Sequence, residues 1–414
     1  MILDNYIAKI YIVKRQIFLE RIKAELLIFR RRTLESIMVH HITPRQIKRT
    51  NRQMIYDFIY REKKVSPQDI VFALRLSRPT VASNLLEMEE SGLILKNGLS
   101  ENDQIGKKAV AYSVVAEYRI AIGVAITRDK VKIIAVNLYG EKINRVVMDI
   151  PFEKQDWYYK KAAEGILDFI SSLNIAREKI LGIGFAMQGL VSSDGQRVVY
   201  GKILDCFGLT IDVFQKWLNY PCVFIHDMDS AALSELWNSP ELNDAIYISL
   251  DYHVGGAFIF DRQISTGKHG HSATFEHIQA KPEGQLCYCG KRGCFETVCS
   301  MKALLGNEDP EKFFQAVRNK ESEPAIKWKI YLEYLSHLIA NLHLVNDTNF
   351  ILGGHLAQYF MEDDIKIIYD NVRSYTPFDD ADDYILLSKM PSHNITIGAA
   401  LFYIRAFLEN PIEA

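Results

Sequence analysis

Apolar positions follow two different patterns along this chain of 414 residues. Between residues 45 and 115, three helical patterns are followed by two short strand patterns. From residue 116 onward, β-branched runs alternate with longer helical patterns, which is typical of an α/β fold. The change of pattern predicts a small N-terminal domain joined to a larger α/β domain.

The pattern of residues 45–115 predicts a winged helix-turn-helix. The first helix runs from Arg45 to Arg61, a second follows the cap Ser66, and a third begins after Ser77 and ends at Gly92. The strands 93–96 and 109–115, with the loop 97–108 between them, form the wing. The buried face of the first helix is predicted to comprise Ile47, Met54, Ile55, Phe58 and Ile59.

Residues 1–44 are apolar and basic, with loosely helical spacing, and they predict a helical extension. Three interpretations stay open for this extension. It is a dimerisation helix, an arm that contacts DNA, or translated sequence upstream of the natural start, since Met38 is the next methionine.

The third helix of the small domain has the character of a DNA-recognition helix. Such helices present their N-terminal residues to base edges in the major groove, and basic residues at the wing tip meet phosphate or the minor groove. The predicted DNA contacts are Arg78, Thr80, Ser83 and Asn84 on the helix, and Lys107 and Lys108 on the wing. The alternative is a winged helix that makes only protein contacts.

Charge is distributed unevenly, although the net charge is only −2. Residues 1–115 carry a net charge of +8, and the remainder carries −10. A basic front on an acidic body is what a nucleic-acid-binding module joined to a ligand-binding domain would show, and an accident of surface charge is the alternative. The chain shows neither a signal peptide nor an apolar run of transmembrane length, so we expect a cytoplasmic protein without membrane contact.

Four residues within 18 positions have the donor types that zinc prefers. His277 is followed by Cys287, Cys289 and Cys294, with Gly290 and Gly293 allowing tight turns between them. A closed set of three thiolates and one imidazole leaves no position for water, so the predicted zinc is structural. The alternative is a set of buried cysteines without a metal. Cys206, Cys222 and Cys299 are expected in the core.

The cysteine run resembles the signature of the ROK family, whose name stands for repressors, open reading frames and sugar kinases. The segment Cys287-Tyr-Cys-Gly-Lys-Arg-Gly-Cys294-Phe-Glu296 fits the family's C-x-C-G-x-x-G-C-x-E at every fixed position. This resemblance implies an actin-like, ribonuclease-H-like domain of two lobes over residues 116–414. It also implies that Asp227, His277 and Glu296 contact a sugar, with Asp227 matching the catalytic base of the kinases.

Several departures from the kinase members predict that the chain is not an enzyme. The two glycine-rich phosphate turns of the kinases are replaced by residues 125–129 and by Asp251-Tyr-His-Val-Gly255. Phosphoryl transfer depends on the positioning of phosphate and metal, so these losses weigh against it. His226 stands where the kinases have asparagine, and Thr274 stands where the family has a sugar-binding glutamate.

The sequence therefore predicts a sugar-responsive transcriptional regulator, a repressor, that binds operator DNA as a homodimer or homotetramer. Its effector would be a small carbohydrate or a sugar phosphate. The alternative is an ATP-dependent ROK sugar kinase with a DNA-binding head. A third possibility is a regulator that has lost its small ligand and responds to a protein partner.

Overall fold

The computed structural model describes residues 43–99, 110–381, 383–389, 393–409 and 411. The chain divides into two compact units, Met1–Val114 and Val115–Ala414. The division falls one residue before the position that the sequence predicts. Most of the predicted N-terminal extension and the wing loop lie outside the described residues. No helix in the described ranges is long and apolar enough to cross a membrane.

The described residues of the first unit form three helices and a two-stranded sheet. Ser66 and Ser77 each accept a hydrogen bond from the backbone N–H three residues on, which caps the second and third helices. Gly92 ends the third helix with a φ of 77°, a conformation that favours glycine. These elements are α1 Pro44–Glu62, α2 Pro67–Leu74, α3 Arg78–Glu90, β1 Ile94–Leu99 and β2 Val110–Val114, and the two strands are antiparallel.

The predicted buried face of α1 is wrong at two of its five positions, Ile47 and Met54. Ile55 and Ile59 are fully buried, but Ile47 is 50% exposed and Met54 is 39% exposed. Residues 43–50 are all exposed, so the start of α1 extends beyond the core that the later turns of the helix join. Apolar spacing locates the face of a helix but not the point at which its neighbours stop.

The second unit is built from two five-stranded sheets of the same design. Their strand orders are β5-β4-β3-β6-β9 and β12-β11-β10-β13-β14. The strands of the first are β3 Ile120–Ile126, β4 Lys130–Val136, β5 Lys142–Asp149, β6 Ile180–Met187 and β9 Cys222–His226. The strands of the second are β10 Ala245–Leu250, β11 Val254–Phe260, β12 Gln263–Ser265, β13 Asn349–Gly353 and β14 Ile385–Leu387. A short hairpin, β7 Leu190–Val191 with β8 Val198–Tyr200, follows β6.

The repeated pairing pattern establishes the two-lobed actin-like fold. In the first lobe, β3 pairs antiparallel with β4 and parallel with β6. In the second lobe, β10 pairs antiparallel with β11 and parallel with β13. A parallel neighbour requires a crossover, and helices supply it in both lobes. The fold class that the sequence predicts is therefore confirmed.

The helices of the second unit cover these sheets and join them. Side chains alternate across β3, so Ile122 and Val124 face the core under α4, while Gly123 faces α12. The helix α12 packs on the first sheet and crosses α6 closely. The helices are α4 Asp156–Ser172, α5 Asp212–Gln215, α6 Asp227–Asn238, α7 Glu296–Cys299, α8 Met301–Leu305, α9 Pro310–Arg318, α10 Ser322–Val345, α11 Glu362–Tyr375 and α12 Asn394–Glu409.

One feature of this unit differs from the sequence pattern, because the edge strand β5 was not predicted. Most residues of β5 are exposed, so the strand lacks the apolar alternation that marks a half-buried strand. Cys206, Cys222 and Cys299 are all buried, as expected.

A substitution at Gly398 in α12 would test how closely α12 crosses α6. A Cβ atom there would lie 1.7 Å from the carbonyl oxygen of Ser230 in α6, whereas one at Gly165 in α4 would meet only the flexible end of Met148. Gly398→Ala should lower the free energy of unfolding by about 1–3 kcal/mol. The control Gly165→Ala should be neutral or stabilising, since alanine favours a helix by about 1 kcal/mol. Equal denaturation midpoints for the two variants would contradict the crossing.

Candidate functional site

A cavity of about 190 Å³ lies between the two lobes of the second unit. Both sheets contribute to its wall through the turns and ends of their strands. Its polar lining comprises Thr127, Lys132, Gln188, Tyr200, Lys202, His226, Asp227, Ser249, Asp251, Tyr252, His253, Thr274, Glu276 and Tyr288. Hydroxyl, carboxylate, amide and imidazole groups converging on one concave space are typical of a small-ligand site.

Asp227 begins α6 directly after β9 and is only 8% exposed. The backbone N–H of Met228 donates to its Oδ1 at 3.0 Å. Burial raises the pKa of Asp227 to about 6. The preceding residue, His226, places its two ring nitrogens 3.4 Å from Asp227 and 3.7 Å from Asp229. Burial opposes its charged form, but these carboxylates outweigh burial and raise the pKa of His226 to about 9.

Glu276 is a second carboxylate in the same wall. Burial raises its pKa to about 7, and one of its oxygens is buried without a hydrogen-bond partner among the described residues. Its other oxygen lies 3.6 Å from Nε2 of His277. Thr274 stands where the family has a sugar-binding glutamate, and Glu276, two residues later, also lines the cavity.

The four predicted metal ligands come together beside this wall. One atom from each of His277, Cys287, Cys289 and Cys294 lies within 4.8 Å of the others. The sulfurs of Cys289 and Cys294 are 3.8 Å apart, and Nδ1 of His277 is 3.8 Å from the sulfur of Cys287. Sulfurs bound at about 2.3 Å to a tetrahedral ion also lie about 3.8 Å apart. The cluster could hold a metal ion, and its cysteines form no disulfide.

The other predicted sugar ligands take different positions. Glu296 does not line the cavity, because its Oε1 accepts from Nδ1 of His253 at 2.6 Å and its Oε2 accepts from the N–H of Val254 at 2.9 Å. His277 directs Nδ1 at the sulfurs and Nε2 towards Glu276. Of the three predicted contacts, only Asp227 faces the cavity.

The wall residues that were not predicted as ligand contacts include Glu276, His253 and Tyr288. Tyr288 stands between two metal-ligand cysteines, and its ring lies 5.1 Å from that of His277 and 5.5 Å from that of His253. Its position within the cysteine run was the signal that could have identified it. Any group that fixes the cysteines also fixes this part of the cavity wall.

Asp251 occupies the turn where the resemblance places a phosphate loop. Its Oδ1 accepts from the N–H of Tyr252 at 2.7 Å, and its Oδ2 accepts from the N–H of His355 at 3.2 Å. His355 follows Gly354, whose φ is 79°. Backbone N–H groups arranged in this way bind anions, and here the anion belongs to the chain itself. At the other predicted turn, Asp129 is exposed.

On the recognition helix α3, the predicted DNA contacts are not equivalent. Arg78 is exposed and has no hydrogen-bond or ion-pair partner in the described part of the chain, and Ser83 is also exposed. Thr80 is half-buried, with its hydroxyl 2.8 Å from that of Ser77. Asn84 is only 2% exposed, and its Nδ2 donates to the carbonyl of Thr80 at 2.8 Å. The prediction that Asn84 reads a base is therefore wrong, because its side chain faces the core.

Ion pairs that the sequence did not reveal hold α3 against α1. Lys48 Nζ lies 2.6 Å from Oε1 of Glu87, and Arg52 binds the other oxygen of the same carboxylate. These contacts fix the helix that carries Arg78. Lys107 and Lys108 lie outside the described residues.

A family model for the ROK family matches residues 121–405. The chain belongs to the ROK family. It is 26% identical to the DNA-binding transcriptional dual regulator NagC of Escherichia coli K12 over 264 residues, which cover 62% of this chain and 64% of that protein. It is 21% identical to the xylose repressor of Bacillus subtilis over 310 residues, which cover 74% of this chain and 78% of that protein.

Solved structures of ROK proteins share the fold. A ROK family transcriptional regulator described as a homologue of the E. coli Mlc protein aligns with a TM-score of 0.69 and 20% identity, over 88% of this chain and 97% of that one. A ROK glucokinase from Streptomyces griseus aligns with a TM-score of 0.59 and 20% identity, over 68% of this chain and 98% of that one. The family thus contains both regulators and kinases with this fold.

The purified protein should contain about one divalent metal ion per chain, bound by the four clustered ligands. Cys289→Ser should lose most of this metal, because a hydroxyl is a much poorer ligand than a thiolate. Cys222→Ala is the control, since Cys222 is buried in the first lobe and should not affect the metal content. Elemental analysis of the three proteins tests the assignment, and a fully folded wild-type protein without metal would contradict it.

Proposed function

We propose that this chain is a carbohydrate-responsive transcriptional repressor. The winged unit binds operator DNA, and the cavity of the second unit binds a small carbohydrate or a sugar phosphate. The observation that favours a regulator over a kinase is Asp251, whose carboxylate occupies backbone N–H groups that a nucleotide phosphate would need. A kinase requires those groups to hold phosphate, whereas an effector site does not.

The functions for which the related proteins are named support this proposal. The matched regions belong to proteins described as an N-acetylglucosamine repressor and a xylose repressor, although the first match spans 64% of the relative's length. In this chain, Asp227 and Glu276 offer carboxylates to the hydroxyl groups of such a ligand. Buried carboxylates that accept from several hydroxyls are suited to sugar recognition without chemistry.

We further propose that the metal is zinc with a structural role. His277 would bind through Nδ1, and Cys287, Cys289 and Cys294 through their sulfurs, which completes a tetrahedral set. Bound zinc would supply only a fixed geometry to the loop that carries Tyr288. Glu276 faces the second nitrogen of His277, in the way that carboxylates orient metal-bound histidines.

DNA binding in this proposal uses Arg78, Thr80 and Ser83 on α3, together with Lys107 and Lys108 on the wing. Two copies of the winged unit would read two half-sites, so we propose an even-numbered homo-oligomer. A ligand that binds one arrangement of the oligomer more tightly than another would change operator affinity by that difference.

Arg78→Ala should weaken binding to the selected operator by about 1–3 kcal/mol, because an exposed guanidinium can contact guanine through two hydrogen bonds. Genomic fragments that the wild-type protein retains would define the operator, and titration with labelled duplex would measure the affinity. Lys329→Ala, which removes an exposed cation from α10 in the second unit, is the control. Equal operator affinity for Arg78→Ala and the wild type would contradict the proposed role of α3.

Incubation with ATP and Mg²⁺ should give no phosphorylated sugar from glucose, xylose, N-acetylglucosamine or N-acetylmannosamine. At least one of these sugars, or its 6-phosphate (5-phosphate for xylose), should bind by calorimetry, and Asp227→Asn should weaken that binding. Gln188→Glu serves as a wall control that adds a carboxylate instead of removing one. Steady release of ADP with sugar phosphate would establish the kinase alternative in place of the effector role.

A further inference from the structure

The turn between β10 and β11 carries the imidazole of His253. Glu296, which lies just after the clustered cysteines, holds this imidazole in place. His253 lines the cavity and is 17% exposed at its side chain. Its Nδ1 lies 2.6 Å from Oε1 of Glu296, which follows the last metal-ligand cysteine by two residues. The other oxygen of Glu296 accepts from the N–H of Val254, so one carboxylate binds both the side chain and the backbone of this turn.

These contacts indicate which nitrogen of the imidazole donates a hydrogen bond and which accepts one. A carboxylate oxygen accepts, so Nδ1 of His253 carries the proton and donates to Glu296. In the neutral ring, Nε2 then has a free lone pair and acts as an acceptor. Within the described residues, Nε2 of His253 has no hydrogen-bond partner. Tyr288 packs edge-on against the ring at 5.5 Å and Tyr252 at 5.1 Å, which limits its rotation.

We propose that His253 contacts the bound ligand directly, and that Glu296 is a positioning residue that holds His253 in the orientation this contact requires. The lone pair on Nε2 accepts a hydrogen bond from a hydroxyl group of the bound carbohydrate. This inference rests on the proposed function, because it assigns a contact within the same cavity. Glu296 itself is only 6% exposed and lies outside the cavity lining, with its oxygens directed at His253 and at the N–H of Val254.

The cavity wall formed by the second lobe is rich in hydrogen-bond acceptors, which fits this role. Glu276 and His253 both present acceptors there, and Asp227 faces them from the start of α6. A ligand that meets three acceptors must bring donors, and a polyol supplies a hydroxyl to each. A carboxylate or phosphate at this wall would meet like charge, so any charged group of the ligand lies away from His253.

The first test measures the tautomer in the full-length, metal-loaded protein. Two-bond ¹H–¹⁵N spectra of the ¹⁵N-histidine-labelled chain distinguish a protonated nitrogen from one with a free lone pair, and the signals missing in His253→Asn identify His253. We expect protonated Nδ1 and unprotonated Nε2 without ligand. A proton on Nε2, whether or not Nδ1 is also protonated, would overturn the proposal, because Nε2 then has no lone pair with which to accept a hydrogen bond.

The second test uses two amide replacements. An asparagine amide reaches the position of Nδ1 and keeps a donor for Glu296, whereas a glutamine amide reaches the position of Nε2. With whichever sugar of the panel binds the wild-type protein, His253→Asn should keep the thermal midpoint and lose affinity roughly 3- to 10-fold. His253→Gln should retain more of the affinity than His253→Asn.

The outcomes separate this inference from the function it rests on. If no sugar or sugar phosphate binds the wild-type protein, the proposed function fails and the role of His253 fails with it. If a sugar binds and His253→Asn binds it as tightly as the wild type, only the role of His253 is overturned. If both variants lose thermal stability and affinity in parallel, His253 is a structural clamp of the turn, which also contradicts the proposal.

Discussion

The convergence of His277 with three cysteines is the constraint on which the cavity depends. Their ligand atoms lie within 4.8 Å of one another, so the loop between residues 277 and 294 has little freedom once a metal binds. Both ends of this loop reach the cavity wall. Glu276 precedes its first ligand and faces the cavity, and Glu296 follows its last ligand and holds the turn at His253. Under the proposed function, metal binding and ligand recognition would therefore share one piece of backbone.

Solved structures with this fold include kinases and a regulator, and this chain departs from the kinase motifs at its turns. The sheets, the crossing of α6 with α12 and the carboxylate at Asp227 are compatible with either role. Asp251 favours the regulator role over the kinase role, because its carboxylate accepts from the backbone N–H groups of Tyr252 and His355 and leaves them unavailable to a phosphate. His226 also replaces a neutral amide with an imidazole whose pKa neighbouring carboxylates raise to about 9.

Local features of the site were predictable from the sequence, and features that depend on packing were not. The metal ligands lie within 18 residues, so their spacing alone indicated the cluster. By contrast, the burial of Asn84 depends on which side of α3 faces α1, and helical spacing near a cap leaves that rotation open. The bond between His253 and Glu296 joins residues 43 positions apart, and only the packed second lobe brings them together. The family motif predicted that Glu296 contacts a sugar, whereas in the structure its oxygens accept from Nδ1 of His253 and from the N–H of Val254.

Operator affinity measured with and without metal tests most directly whether the metal-held wall of one unit controls DNA binding by the other. Titration of labelled operator, with and without the effector sugar, would be carried out on metal-loaded and metal-depleted protein. Metal removal should leave operator affinity nearly unchanged without sugar but abolish the response to sugar, and zinc should restore that response. Metal-depleted protein that responds to the same sugar concentration as the loaded protein would contradict the dependence of the cavity on the metal.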